Sequence, residues 1–111
     1  IFDKAAFLER VMGDVDLARQ VAVGFLEDIP GQIEALQGFL RAGDLQGVEH
    51  QAHSIKGAAA NIGGEGLRRV AHEMEGAARA GDGVLVKTLL SAMEDRFAEL
   101  REAMASLASR S

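Results

Sequence analysis

A chain of 111 residues, 48% of them hydrophobic, has the size and composition of one domain with one core, so a single unit over residues 1–111 is expected. The absence of cysteine excludes disulfides and thiolate metal sites. No apolar run approaches the ~20 residues of a membrane span, and no secretory signal pattern is present. A net charge of −5 without a long basic run argues against nucleic acid, and with neither Trp nor Tyr and only five Phe there is little from which to build a stacking platform. A chain that opens on Ile1 rather than Met is expected to be part of a longer one.

One punctuation recurs. Gly13-Asp14, Gly43-Asp44 and Gly81-Asp82 each pair a residue that tolerates the left-handed helix-ending conformation with one that caps the next helix. Gly63-Gly64 supplies a fourth break. The first segment, about Asp3 to Met12, has Asp3 as N-cap and Phe2 and Phe7 at the two positions of a hydrophobic staple. The second runs from Asp14 to about Arg41, with Ala18, Val21, Ala22, Phe25, Leu26, Ile29, Ile33, Leu36 and Leu40 in helical period. Pro30 removes one donor and clashes with the carbonyl four residues back, which predicts a kink or one-residue break between halves roughly in line. The third, about Leu45 to Asn61, carries the stripe Val48, Ala52, Ile55, Ala59 and Ile62. The fourth, about Glu65 to Ala80, turns Leu67, Val70, Ala71, Met74 and Ala78 inward, and the fifth, about Val84 to Leu107, does the same with Leu85, Leu89, Met93, Phe97, Leu100, Met104 and Leu107. No segment alternates with period two, so no strand is predicted. Long helices joined by short turns pack antiparallel. The expected fold is all-α: an antiparallel up-and-down four-helix bundle with a short extra N-terminal helix laid across it.

His53 falls one step off the core stripe of the third segment, on a face shared with Glu49, His50, Lys56, Gly57 and Ala60. Such a face reads either as ordinary water-facing surface or as a site. Gly57 costs roughly 1 kcal/mol against alanine in a helix interior, and Gly57 to Ala60 strip the helix of bulk just beyond the histidine. That suits the close approach of another macromolecule, with Lys56 one turn away to meet an anion. On the fourth segment His72 and Glu75 share a face with Arg68 and Arg79. They read equally as a local surface pair or as partners of His53, because His53 and Glu75 lie at similar distances on either side of the Gly63-Gly64 turn. A carboxylate beside an imidazole fixes its tautomer and leaves the other nitrogen as nucleophile. His50 and His53 are spaced to share an ion. Neither the Glu-x-x-His pattern of di-iron bundles nor His-Glu-x-x-His occurs, so no metal site is predicted.

The stretch "AHSIKGAAANIG" followed by "LRRVAHEMEGAARAGD" resembles the histidine-containing phosphotransfer (HPt) domain of bacterial two-component systems, and the resemblance covers nearly the whole chain. It implies that His53 is phosphorylated, that Lys56 pairs with the phosphoryl oxygens and that Gly57 leaves room for them. His72 and Glu75 match positions in the phosphotransfer domain of chemotaxis-type kinases, where a glutamate hydrogen-bonds the active imidazole and a second histidine stands close by. The implied function is a phosphocarrier in a cytoplasmic phosphorelay, without autonomous kinase activity, exchanging the group with the aspartate of a response-regulator receiver domain. A histidine kinase in the same polypeptide is a further implied partner, while neither nucleic acid nor membrane is. The chain has no glycine-rich nucleotide loop and no carboxylate cluster for Mg²⁺, so no cofactor is expected on it and Mg²⁺ is expected on the receiver. The competing class is a helical interaction module without covalent chemistry.

Overall fold

The computed structural model describes residues 2–108. Five helices follow in order: α1 (Lys4–Arg10), α2 (Val15–Arg41), α3 (Leu45–Asn61), α4 (Glu65–Arg79) and α5 (Gly83–Ala108). No strand occurs among the described residues; an isolated antiparallel bridge joins Phe2 to Gly64. The glycine–aspartate punctuation works as expected. Gly13, Gly43 and Gly81 take φ of 73°, 73° and 76°. The aspartates that follow accept the backbone N–H groups of Leu17, Gly47 and Leu85, each satisfying a donor that the helix itself leaves without a partner.

α2 packs against α3 and α5, and α4 against α3 and α5, so the four long helices close a ring around one core. Its centre holds Ile29 and Leu36 of α2, Val48 and Ile55 of α3, Leu67 and Met74 of α4, and Met93 and Met104 of α5. α1 seals the end where α3 turns into α4. Asp3 caps it through Ala6 N–H, and the Phe2 and Phe7 rings form the expected staple with centroids 5.7 Å apart. Arg10 donates to the carbonyl of Ala60. At that turn Gly63 has φ 74°, and a Cβ on the buried Gly64 would sit 2.8 Å from Leu100 Cδ2. The two glycines thus meet different demands, one of conformation and one of space.

Two expected core positions need correction, and of the two outcomes expected at Pro30 the one-residue break does not occur. Helix α2 is unbroken at Pro30. The proline sits on the exposed side of the helix, whereas Ile29 and Ile33 on either side of it are buried, so packing of the apolar stripe outweighs one lost hydrogen bond facing water. Val21, expected inward, is 37% exposed. In α5 the core position is Val86, fully buried, and Leu85 is 42% exposed. Both 85 and 86 fit a helical stripe that continues through Leu89, and tertiary packing selects the second.

Candidate functional site

The buried stripe of α3, Val48, Ala52, Ile55 and Ala59, fixes what the rest of that helix presents. His53 stands just beside it, with 68% of its side chain exposed. The antiparallel return through Gly63 and Gly64 lays α4 alongside. There Glu75 follows Ala71 by one turn at the edge of the buried face, so its carboxylate enters the α3–α4 seam, and its side chain is only 9% exposed.

Glu75 is the hub of the site. Its Oε2 lies 2.9 Å from His53 Nδ1, and its Oε1 accepts from Lys56 Nζ at 2.6 Å. Arg79 Nη2 makes a longer contact of 3.4 Å with Oε2, while Arg79 Nε donates to Glu49 Oε2 at 2.8 Å. The Lys56 ammonium, against the opposing effect of burial and with the help of His53, holds the Glu75 carboxyl below the ordinary glutamate range. An ionised carboxylate only accepts hydrogen bonds. Nδ1 of His53 must therefore carry a proton, which in the neutral imidazole leaves the lone pair on Nε2. Among the described residues no buried side-chain polar atom lacks a partner, so this charge is buried without an orphan.

The residues singled out in the sequence separate here. His53, Lys56 and Glu75 meet. Lys56 is already engaged with Glu75 and three-quarters buried, not a free surface cation. Gly57 is exposed, and a Cβ placed on it would meet nothing within 4 Å. His72 does not join the cluster: it is exposed and its side chain makes no hydrogen bond among the described residues. A spacing of three turns two helical side chains about 60° apart, enough to send Glu75 into the seam and His72 to the surface. Arg68 pairs with Glu65 on its own helix. His50 is exposed and lines a groove with Phe39 and Asp44 on the α2 side. Glu49 and Arg79 were assigned no role from the sequence, although a signal was present. The pair lies in the same antiparallel register as His53 and Glu75, each member four residues farther from the turn.

Among the described residues no group of three His, Asp or Glu side chains is arranged to hold a metal ion, and no helix is long and apolar enough to cross a membrane. No curated protein sequence matches the chain significantly. The crystal structure of histidine-containing phosphotransfer protein B from Pseudomonas aeruginosa PAO1 is similar to this one with a TM-score of 0.91 and 28% identity, covering 99% of this chain and 96% of that one. The sequence model of the Hpt domain matches residues 20–108, a span that contains the whole four-helix bundle beyond the first residues of α2, and the chain belongs to the Hpt domain family.

Proposed function

We propose that this protein carries its phosphoryl group on Nε2 of His53. Membership of the family makes it a phosphocarrier of a two-component phosphorelay that exchanges phosphoryl groups with receiver domains. The observation that carries the assignment to His53 is the hydrogen bond between its Nδ1 and buried Glu75, on a ring otherwise open to solvent.

Phosphoryl transfer passes through a loose, in-line transition state in which positioning and charge stabilisation do most of the work. The lone pair of Nε2 forms the N–P bond while the P–O bond to the receiver's aspartate breaks, its electron pair leaving on that carboxylate. Nδ1 keeps its proton, so the ring becomes cationic as the bond forms, with ionised Glu75 as its counter-charge. The reverse sequence returns the group. Lys56, one turn along α3, offers its ammonium to the phosphoryl oxygens, and exposed Gly57 leaves clearance for the incoming domain. The receiver supplies the acidic residues and Mg²⁺ that neutralise the transferring group. The reading places the domain in the cytoplasm and admits a histidine kinase, in the same polypeptide or apart from it, as the upstream donor.

Incubation with a phosphorylated receiver tests it. The chain should gain one acid-labile, base-stable phosphoryl group by mass, and His53→Gln should stay folded and unlabelled. Labelling that survives His53→Gln but vanishes in His50→Gln or His72→Gln would move the site. Binding of the receiver with no mass gain would leave a non-covalent module.

A further inference from the structure

The hydrogen bonds of Glu75 conflict with the task just given to Lys56. In the free domain the cluster is balanced: Lys56 and Arg79 are cations, and Glu49 and Glu75 are anions. A phosphoryl group on His53 adds about two negative charges within reach of Lys56. Lys56 is the strongest partner that Glu75 has, at 2.6 Å. As the ammonium turns toward the phosphoryl oxygens, a buried carboxylate loses its main counter-charge, and an unpaired buried charge is costly. Without another cation, Glu75 would rotate after Lys56 or out to water, and either movement takes Oε2 off Nδ1.

Arg79 is placed to prevent that. Its Nη2 approaches Oε2, the same oxygen that meets His53, not the one held by Lys56. Its Nε is fixed at 2.8 Å by Glu49, one turn before His53 on α3, and 25% of the Glu49 side chain is exposed. The guanidinium therefore spans the seam with one side on each helix, and its planar fork suits two simultaneous carboxylate contacts. Resting on the assignment of His53 as the phosphoryl carrier, we infer that Arg79, braced by Glu49, is a positioning residue that keeps Glu75 on Nδ1 of His53 while Lys56 serves the phosphoryl group. Arg79 need not touch the phosphoryl group to do this.

The test uses phosphoramidate, a small phosphodonor that needs no docking surface, on the intact chain. Labelling rate and, from long-range ¹H–¹⁵N correlation spectra, the Nδ1–H signal of phosphorylated His53 are measured for the parent, Arg79→Gln, Arg79→Lys and Glu49→Gln. Labelling of His53 in the parent by a phosphorylated receiver is the condition set by the functional reading, and its absence would remove that reading before the variants are compared. With the parent labelled, Arg79→Gln and Glu49→Gln should slow the reaction about three- to tenfold, a modest positioning effect, and Arg79→Lys should recover most of the loss. In the phosphorylated domain the Nδ1–H signal of His53 should keep its hydrogen-bonded shift in the parent and lose it in Arg79→Gln. A parental rate in Arg79→Gln overturns the inference. So does slower labelling with the Nδ1–H signal of phosphorylated His53 unchanged, which is the signature of a cation that merely attracts an anionic donor.

Discussion

Gly57→Ala separates what is good for the helix from what is good for the partner. Glycine in a helix interior is about 0.8–1.0 kcal/mol less favourable than alanine, because it has more backbone freedom to lose. The usual structural reasons for keeping it are absent. Gly57 lies four residues inside the end of α3, its φ is not positive, and a Cβ would meet nothing within 4 Å. The full gain should therefore appear, about 1 kcal/mol, which for a domain of this size is a rise of roughly 4 °C in Tm, measured by far-UV circular dichroism. The added methyl group stands one turn beyond His53 on the exposed face. Labelling by phosphoramidate should be unaffected, and transfer from a phosphorylated receiver should slow. Gly24, also exposed and free of neighbours but on α2, provides the control: Gly24→Ala should stabilise the fold without slowing transfer. A lower Tm for Gly57→Ala would refute the packing argument. Unchanged transfer from the receiver would refute the clearance argument and leave Gly57 with no more role than Gly24.

Two other outcomes follow from the buried carboxylate. Lys56→Ala should cost about 1–2 kcal/mol in urea unfolding, more than the tenths expected of an exposed lysine, because it strips the closest donor from Glu75, and it should also shorten the phosphohistidine lifetime. The held-down titration of Glu75 has a pH signature. A carboxyl whose folded value lies below its unfolded one contributes stability fully present above about pH 4.3 and lost as pH falls through the folded value. Chemical unfolding between pH 6 and pH 3 should therefore show the parent losing stability more steeply than Glu75→Gln; parallel curves would mean that the carboxylate gains nothing from its partners on folding.

The architecture was legible because its signals are local. Each glycine–aspartate step states both where one helix ends and how the next begins, and the caps at Asp14, Asp44 and Asp82 form accordingly. At Pro30 the cost is local, but the burial that keeps the helix continuous is spread over Phe25, Ile29, Ile33 and Leu36. Val21 and Leu85 show where periodicity stops deciding. Near a helix end two neighbouring positions fit the same stripe, and only the partner helix chooses between them. In the site, the hairpin register brought His53 to Glu75 from the sequence alone. His72 was grouped with Glu75 because a spacing of three looks like one face, although the seam between α3 and α4 is narrower than that face. The same register that paired His53 with Glu75 also pairs Glu49 with Arg79, and it passed unused because a charged pair on helix surfaces reads as solvated polarity.

The fold itself does not require an ionic cluster at this seam. Replacing buried ionic groups by packed apolar ones is often neutral or stabilising, and the apolar stripes of α3 and α4 already hold the seam on both sides of Glu75. What the ionised carboxylate provides is direction. It faces inward, where donors on two helices meet its oxygens, and the imidazole it orients faces outward, where a partner can reach Nε2. Exposure alone would leave the ring free to rotate and to exchange tautomers, and burial alone would put Nε2 beyond any partner. A buried acceptor behind an exposed imidazole reconciles the two demands on one pair of helices. With His53 as the proposed carrier, the tight turn at Gly63 and Gly64 belongs to the site as much as to the fold, because it sets the register that places Glu75 behind His53.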